Sequence, residues 1–159
     1  MSEERAVMLR RARGWRDCWR LYRWRNDPST RAMMRRRAPI GLFEHWRWFR
    51  AVQADPTRLV YIAIAAAPVG SGRLDISDVG RLAELTVTVG LEYRGHGLGT
   101  AIIRALVLEA TRLGCTTCVA EIRVGNKASY RTFQRAGFRG FRRDRSMDGD
   151  FIRLWRSCV

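Results

Sequence analysis

The sequence predicts an α/β (α+β) fold in which a mixed, mostly antiparallel sheet carries helices on both faces. Two helical patterns come first, a group of strand-like stretches follows, and a strand–glycine-rich loop–helix–strand–helix order completes the chain. About seven strands are expected, at Ala6–Leu9, Val60–Ala65, Arg73–Ile76, Leu82–Val89, Cys118–Ile122, Phe138–Arg142 and Phe151–Trp155. About four helices are expected, at Trp15–Arg25, Phe43–Val52, Thr100–Leu113 and Lys127–Ala136.

The first two helices are predicted from aromatic spacing. Trp15 and Trp19 recur along one helix, and Trp46 and Phe49 along the next, at the spacing of an apolar helix face. Pro28 ends the first helix, because proline disfavours a helical conformation in the residue before it, and an arginine-rich loop follows. We expect the three tryptophans to belong to the core.

The middle of the chain reads as strands and turns. Leu82–Val89 alternates apolar and polar residues, which predicts a strand with one buried face and with Glu84 on the polar face. Turns are expected at Pro68–Gly72, at Asp78-Val79-Gly80 and at Asp148-Gly149, because proline, glycine and aspartate favour them.

A glycine-rich loop joins the alternating strand to the most apolar helix. The segment Arg94–Thr100 reads Arg-Gly-His-Gly-Leu-Gly-Thr. Alternate glycines let backbone N–H groups approach a ligand, and the helix N-terminus favours an anion. The spacing differs from both the Walker and the dinucleotide patterns. From the residues alone, a phosphate loop and a simple tight turn both remain open.

The composition fits one globular domain over residues 1–159. Of its 159 residues, 47% are apolar and 28% are charged, enough for a core without disulfides or metals. The longest apolar run, the 11 residues of Leu59–Val69, predicts a buried strand, since a bilayer span needs about 20. The N-terminus lacks the pattern of a signal peptide. We therefore expect a cytoplasmic protein that does not bind a membrane.

The charge is strongly positive, and the cysteines show no framework. A formal net charge of +15 attracts anions, although a GC-rich genome is an alternative reason for arginine in place of lysine. Cys115 and Cys118 have C-x-x-C spacing, but no second pair or nearby histidine completes a zinc site. We expect structural cysteines and no metal, with a redox or metal role as the alternative.

Two motifs resemble those of the GNAT N-acetyltransferase superfamily. Arg94–Gly99 resembles its acyl-CoA pyrophosphate loop, Arg/Gln-x-x-Gly-x-Gly/Ala. Asn126–Phe138 resembles its second signature, in which an asparagine opens a helix that ends in Gly-Phe. The resemblance spans the chain from the first strand to the last. It implies the GNAT fold and an acetyl-CoA-dependent enzyme that transfers acetyl directly to a primary amine.

The resemblance also implies where acetyl-CoA binds. It would lie in a cleft where the strand Leu82–Val89 separates from the strand Cys118–Ile122. Loop N–H groups would hold the pyrophosphate, with the His96 side chain pointing outward, and strand backbone groups would bond the pantetheine and polarise the thioester carbonyl. Asn126 would bond the pantetheine amide or shape that wall. The implied residues are Val87, Thr88, Val89, Arg94, Gly95, His96, Gly97, Leu98, Gly99, Thr100 and Asn126.

The implied catalytic residues are Glu84 and Tyr130. An aliphatic ammonium, with a pKa of about 10, must lose a proton before attack, and relatives often carry a base-positioning glutamate on the strand of Glu84. Many relatives place a thiolate-protonating tyrosine where this chain has Phe133, and Tyr130 lies one turn earlier. The alternatives are a solvated or arginine-paired carboxylate and a helix tyrosine packed under the sheet.

The first third resembles one branch of the superfamily. Trp24–Pro28 followed by Glu44–Phe49 is similar to the N-acetyltransferases of UDP-linked amino-dideoxy sugars, and less closely to ribosomal-protein N-terminal acetyltransferases. The resemblance implies that Arg25, Asn26 and His45 bind substrate. A net charge of +15 favours the anionic sugar nucleotide over a basic N-terminus. The expected partner is a small, anionic amine.

A basic binding module that keeps the fold without the chemistry is the alternative of another class. The charge would suit nucleic acid, but the arginines are scattered, without the interleaved aromatic platform that single strands need. A bare nucleic-acid binder would also have no use for the glycine loop. We therefore expect an enzyme that does not act on nucleic acid. The oligomeric state is open, a homodimer included.

Overall fold

Seven strands form one sheet, and the predicted mixed, mostly antiparallel architecture is confirmed. The computed structural model describes residues 6–77, 79 and 81–158. The strands are β1 (Met8–Arg11), β2 (Arg58–Ile64), β3 (Pro68–Ile76), β4 (Leu82–Val89), β5 (Thr117–Arg123), β6 (Arg139–Ser146) and β7 (Gly149–Ser157). The helices are α1 (Gly14–Asn26), α2 (Pro28–Ala32), α3 (Leu42–Ala54), α4 (Leu98–Arg112) and α5 (Lys127–Arg135). The sheet order is β1-β2-β3-β4-β5-β7-β6, and β4–β5 is the one parallel pair among the described strands.

Several boundaries differ from the prediction. The expected turn Pro68–Gly72 is the first half of β3, since proline is tolerated at the first position of a strand. The apolar run Leu59–Val69 therefore covers most of β2, a turn and the start of β3. The strand predicted at Ala6–Leu9 is observed at Met8–Arg11. Asp78 and Gly80 of the second predicted turn lie outside the described residues.

A short helix, α2, occupies part of the predicted basic loop. Pro28 is its first residue, a position where the missing proline N–H has no helical partner to lose. The Asp27 carboxylate caps the helix by accepting a 3.0 Å bond from the Thr30 backbone N–H. Proline thus begins a second helix where the sequence analysis expected only the end of the first.

The two faces of the sheet are covered differently. Helices α4 and α5 pack on one face, where Ile102, Ile103 and Leu106 are fully buried. Helices α1 and α3 pack on the other face, where Leu21 and Phe49 belong to a second cluster with the inward side chains of β2. Polar side chains of β4, β5 and β7 occupy the rest of that second face, because residues alternate across a sheet.

The tryptophans expected in the core lie at the surface. Trp15, Trp19 and Trp46 are all exposed, so that prediction is wrong. The helical spacing was correct, but the stripe that packs inward on α1 is carried by Cys18 and Leu21. The apolar stripe with the largest residues is therefore not the stripe that faces the sheet.

The four cysteines of the chain are free thiols in the structure. Cys118 lies against Cys158, with 3.1 Å between the sulfur atoms, rather than pairing with Cys115. Burial raises the pKa of the Cys118 thiol. Within the described residues, no group of three or more His, Cys, Asp or Glu side chains could hold a metal ion. No helix in the described ranges is long and apolar enough to cross a bilayer.

Gly70→Ala should destabilise the fold by about 1–3 kcal/mol, the range for overpacked cores. A Cβ at this position would lie 2.4 Å from the Thr88 carbonyl oxygen and 3.3 Å from Ile102 Cδ1, so the backbone would have to shift. Gly41→Ala is the control, because its Cβ would meet nothing within 4 Å; since Gly41 is the N-cap of α3, where alanine is less favoured than glycine, it should destabilise the fold slightly and less than Gly70→Ala does. Chemical denaturation of both variants measures the difference, and equal midpoints would contradict the packing argument.

Candidate active site

A cleft opens where β4 and β5 separate. Parallel pairing joins Leu82–Leu85 to Thr117–Ala120 and stops there, although β4 continues to Val89 and β5 to Arg123. The backbone of Thr86–Val89 therefore has no strand partner on the β5 side. Unpaired strand groups of this kind can bond an extended ligand. Val87, Thr88 and Val89, which the family resemblance implies for the pantetheine arm, belong to this open stretch.

The loop before α4 presents free backbone N–H groups. Gly95 and Gly97 have φ values of +79° and +77°, a region that favours glycine, and nothing lies within 4 Å of either Cβ position. Within the described chain, no acceptor bonds the N–H groups of residues 95–100. The first turn of α4, which includes Leu98, Gly99 and Thr100, adds the helix dipole. The loop therefore fits a pyrophosphate group such as that of acetyl-CoA.

Arg94 joins this loop to α2. Its Nε donates to the Val89 carbonyl at 3.1 Å, and its two Nη groups donate to Ser29 Oγ at 2.6 Å and Thr30 Oγ1 at 2.8 Å. The exposed His96 places Nδ1 3.3 Å from the Tyr93 carbonyl oxygen. The backbone of the loop, rather than these two side chains, is what faces an incoming anion.

Two carboxylates beside the cleft differ in their partners. Glu121 accepts two 2.7 Å bonds from Arg35, which hold the pKa of its carboxyl below the ordinary value. Glu84 on β4 has no hydrogen bond or ion pair to any described residue. Burial, followed by the negative charge of Glu121, raises the pKa of Glu84. Of the two, Glu84 is the more basic carboxylate.

The start of α5 places Tyr130 and Asn126 together. Asn126 Oδ1 accepts a 3.1 Å bond from the Ser129 N–H and so caps the helix. Tyr130, Asn126 and Arg123 line one small pocket at the end of β5. Phe133 is buried and packs edge-on against Phe138 at 5.0 Å between ring centres. Phe133 is thus a core residue, and the pocket contains a tyrosine one turn earlier.

The three residues predicted to bind the acceptor have different surroundings. His45 is 3% exposed and places Nε2 3.0 Å from the Cys18 carbonyl oxygen, and burial lowers the pKa of its imidazole. Asn26 donates to and accepts from the backbone of Ile40 at 2.9 and 2.8 Å. These contacts hold α1 to α3 and to the residues that precede α3. Because the polar atoms of His45 and Asn26 are used within the fold, these contacts argue against a contact of either residue with an acceptor.

Arg25 differs from those two residues because it keeps an unused donor. Its Nη2 donates to the Arg36 carbonyl at 2.9 Å, while its buried Nη1 has no hydrogen-bond partner. Burial, followed by the charges of Arg36 and Arg31, lowers the pKa of Arg25. An uncompensated guanidinium of this kind suits an anionic group.

Arg123 also lines the pocket of Tyr130 and Asn126, and the sequence analysis did not name it. It is 8% exposed, and its Nη2 donates to the Met34 and Asp148 carbonyls at 2.7 and 3.0 Å. Its Nε is buried without a partner, and its guanidinium lies 4.7 Å from the centre of the Phe151 ring. A charged residue at the carboxyl end of a central strand was the available signal.

Known acetyltransferases match this chain. A model of the acetyltransferase (GNAT) domain matches residues 7–139, and no curated protein sequence matches significantly. Aminoglycoside acetyltransferase AAC(6')-Ib in complex with coenzyme A is 21% identical, with a TM-score of 0.81 over 96% of this chain and 95% of that chain. The spermidine N-acetyltransferase from Vibrio cholerae in complex with CoA and spermine is 18% identical, with a TM-score of 0.83 over 95% of each chain. An N-acetyltransferase from Staphylococcus aureus Mu50 is 20% identical, with a TM-score of 0.79 over 96% and 99%.

These findings agree with the cleft and the loop. The family model covers most of the chain, and the solved structures show that the fold is that of N-acetyltransferases. The free N–H groups of the loop form a place where an anion such as a phosphate of the donor could bind. The chain therefore belongs to the GNAT acetyltransferase family and is an acetyl-CoA-dependent N-acetyltransferase.

Proposed function

We propose that this enzyme acetylates the primary amine of a small anionic molecule, and that a nucleotide-linked amino sugar is the substrate class to test first. The observation that carries the reaction is the unpaired, half-buried carboxylate of Glu84, whose raised pKa reflects burial and the nearby Glu121. Arginines on the same side of the sheet as Glu84 support an anionic acceptor, because they have no carboxylate partners among the described residues.

The proposed chemistry uses four groups of the chain. Glu84 accepts a proton from the acceptor ammonium, directly or through water, so that the neutral amine can attack the thioester carbon. The open backbone of Thr86–Val89 holds the donor arm and polarises the thioester carbonyl. As the carbon–sulfur bond breaks, the Tyr130 hydroxyl gives a proton to the thiolate and recovers one from the acetylated nitrogen. The loop at Gly95–Thr100 holds the pyrophosphate.

Three arginines around the basic segment after α2, residues 33–37, support an anionic acceptor. Arg25, Arg31 and Arg123 have no carboxylate within ion-pair distance among the described residues, and each donates to a backbone carbonyl between residues 34 and 37. Burial, followed by the charges of Arg37 and Arg35, lowers the pKa of Arg123. A phosphate or carboxylate at this place would relieve the repulsion and satisfy free donors.

One arginine of the basic segment that follows α2 is already occupied. Arg35 is paired with Glu121 through both carboxylate oxygens, and its guanidinium lies 4.2 Å from the centre of the Phe151 ring. Arg35 therefore fixes the segment to β5 and β7. Arg25 Nη1 and Arg123 Nε, in contrast, have no hydrogen-bond partner.

A thiol-release assay with acetyl-CoA tests the acceptor. The panel comprises a UDP-linked 4-amino sugar, spermidine, an aminoglycoside and a basic N-terminal peptide. We expect turnover of the sugar nucleotide and none of the basic peptide, which is the substrate of the alternative N-terminal acetyltransferase. A preference for spermidine or the aminoglycoside would overturn the anionic acceptor and leave the acetyltransferase intact.

Arg25→Gln should raise the KM for the acceptor about 10-fold or more, because a hydrogen bond to a charged group contributes about 1.5–3 kcal/mol. The KM for acetyl-CoA should stay the same. Arg23→Gln is the matched control, since Arg23 is an exposed arginine of the same helix. Steady-state kinetics with each substrate varied in turn separates the two effects, and equal changes in both KM values would contradict the role of Arg25.

A further inference from the structure

The outer surface of α1 and α3 carries aromatic side chains that are largely exposed to solvent. Trp15 is 75% exposed, Phe43 69%, Trp46 48% and Trp19 45%. Phe43 and Trp46 stack on each other, with 6.0 Å between ring centres and planes 24° apart. These four side chains, here called the aromatic face, expose large rings to solvent, a feature that marks an interaction surface.

Arginines lie against three of these rings. Arg16 lies 5.5 Å from the centre of the Trp15 ring, Arg50 lies 5.7 Å from that of Trp46, and the Arg47–Phe43 distance is 6.0 Å. None of the three arginines forms an ion pair with a described carboxylate. The aromatic face therefore alternates rings with uncompensated cations, which is the platform that the sequence analysis expected to be absent.

A groove runs between the two helices at one end of this face. Trp15 and Trp46 line it, and the buried side chains of Cys18 and Phe49 form its apolar floor. Gln53 and Arg50 also line the groove and bring an amide and a guanidinium to it. A flat ring that enters the groove would meet an apolar floor, aromatic walls and hydrogen-bonding groups.

We propose that the aromatic face binds single-stranded nucleic acid, with bases stacked on Trp15 and Trp46 and phosphates paired with arginines. Base–aromatic stacking and guanidinium groups are the two features that single-strand binding requires. The net charge of +15 supplies long-range attraction for a polyanion. The face shares no residue with the acetyl-transfer cleft, so this activity does not depend on the proposed acceptor.

An anionic membrane surface also attracts tryptophan and arginine, but the geometry favours nucleic acid. The guanidinium groups lie near the ring centres, within the face itself. Insertion of the rings among acyl chains would also remove these cations from water, which is costly. In a nucleic-acid complex the same cations meet phosphates or stack on bases and remain paired.

Fluorescence anisotropy with a labelled 12-nucleotide oligouridylate tests this proposal on the full chain. We expect binding that weakens steeply with salt. Trp15→Ala and Trp46→Ala should each weaken it about 5- to 160-fold, since stacking contributes about 1–3 kcal/mol per base. Trp46→Phe should keep most of the affinity, because it keeps a ring. Arg50→Gln should reduce the slope of log affinity against log salt by about 1.

Two substitutions on the opposite side of the sheet test whether RNA binding is specific to the aromatic face. Leu108→Ala removes a 67% exposed side chain of α4, and Arg112→Gln removes an exposed cation of the same helix. Neither should change RNA binding. The Trp15 and Trp46 variants should keep the parent's Tm and its thiol release with a small amine.

Three outcomes would overturn the proposal. The first is no binding of the oligonucleotide at low salt. The second is binding that weakens with salt but keeps the parent's affinity in both tryptophan variants, because charge alone would then explain the binding. The third is tryptophan-dependent binding to phosphatidylserine vesicles without binding to RNA, which would assign the face to a membrane surface.

Discussion

Glu84→Gln should lower kcat/KM by about 100-fold or more at neutral pH, the usual size for loss of a general base. The amide keeps the volume of the side chain and cannot take a proton from the acceptor ammonium. Thiol release measured with saturating acetyl-CoA and a varied amine tests this directly. Glu109→Gln on α4 is the matched control, since its carboxylate lies on the other face of the sheet near Tyr61, and it should keep the parent rate.

The proposed role of Glu84 also predicts the direction in which the rate changes with pH. Burial, followed by the charge of Glu121, raises the pKa of Glu84. The carboxyl is therefore ionised, and able to accept a proton, only at a higher pH than an ordinary glutamate. The rate of the parent should therefore rise with pH through that pKa, and the rise should be missing in Glu84→Gln. The loss should shrink near pH 10, which is about the pKa of an aliphatic amine, because about half of the amine is then already neutral. An unchanged profile would contradict the role of Glu84 as base.

The thermal stability of Glu84→Gln distinguishes a role of Glu84 as a base from a role in supporting the fold. A carboxyl whose pKa is raised on folding destabilises the folded state above that pKa, and the cost disappears as pH falls through it. Glu84→Gln should therefore raise Tm at neutral pH while it lowers activity, and the two proteins should converge in acid. A variant that loses both Tm and activity would show instead that Glu84 supports the fold.

The half of the candidate site that is proposed to bind the donor could be predicted from the sequence because its signals are local. Gly95 and Gly97 need positive φ, and a glycine-rich loop between an alternating strand and an apolar helix has few other uses. The strand Leu82–Val89 has the predicted limits, since its period of two is unbroken. The capping role of Asn126 also follows from its position before a helix.

The acceptor half could not be predicted in the same way, because it depends on how helices turn relative to the sheet. Helical spacing on α1 and α3 identified an apolar stripe but not its direction, so Trp15 and Trp46 were assigned to the core. His45 was assigned to the acceptor from the family resemblance, which does not show how the helix is turned. The burial of His45 follows from its bond to the carbonyl of Cys18, a residue 27 positions away. The role of Arg123 depends on a segment 89 residues earlier in the chain.

Gly97→Asp should abolish acetyl-CoA binding, whereas Gly97→Asn should weaken it much less. Residue 97 has a φ of +77°, and aspartate and asparagine tolerate this left-handed region more readily than other residues do. The two side chains have nearly the same volume, and nothing lies within 4 Å of the Cβ position. They differ by one negative charge, placed where the loop N–H groups would meet a pyrophosphate.

Thermal shift with acetyl-CoA measures the difference between the two variants. A ligand at 100 times its Kd stabilises a protein by about 2.7 kcal/mol, which for a chain of this size raises Tm by several degrees, about 2–4 °C per kcal/mol. We expect that rise for the parent, part of it for Gly97→Asn and none for Gly97→Asp, while both variants have a similar Tm without ligand. If the aspartate variant responds to acetyl-CoA as the parent does, the donor phosphates lie elsewhere. If both variants lose the response equally, the backbone strain at residue 97, and not the charge, is what excludes the donor.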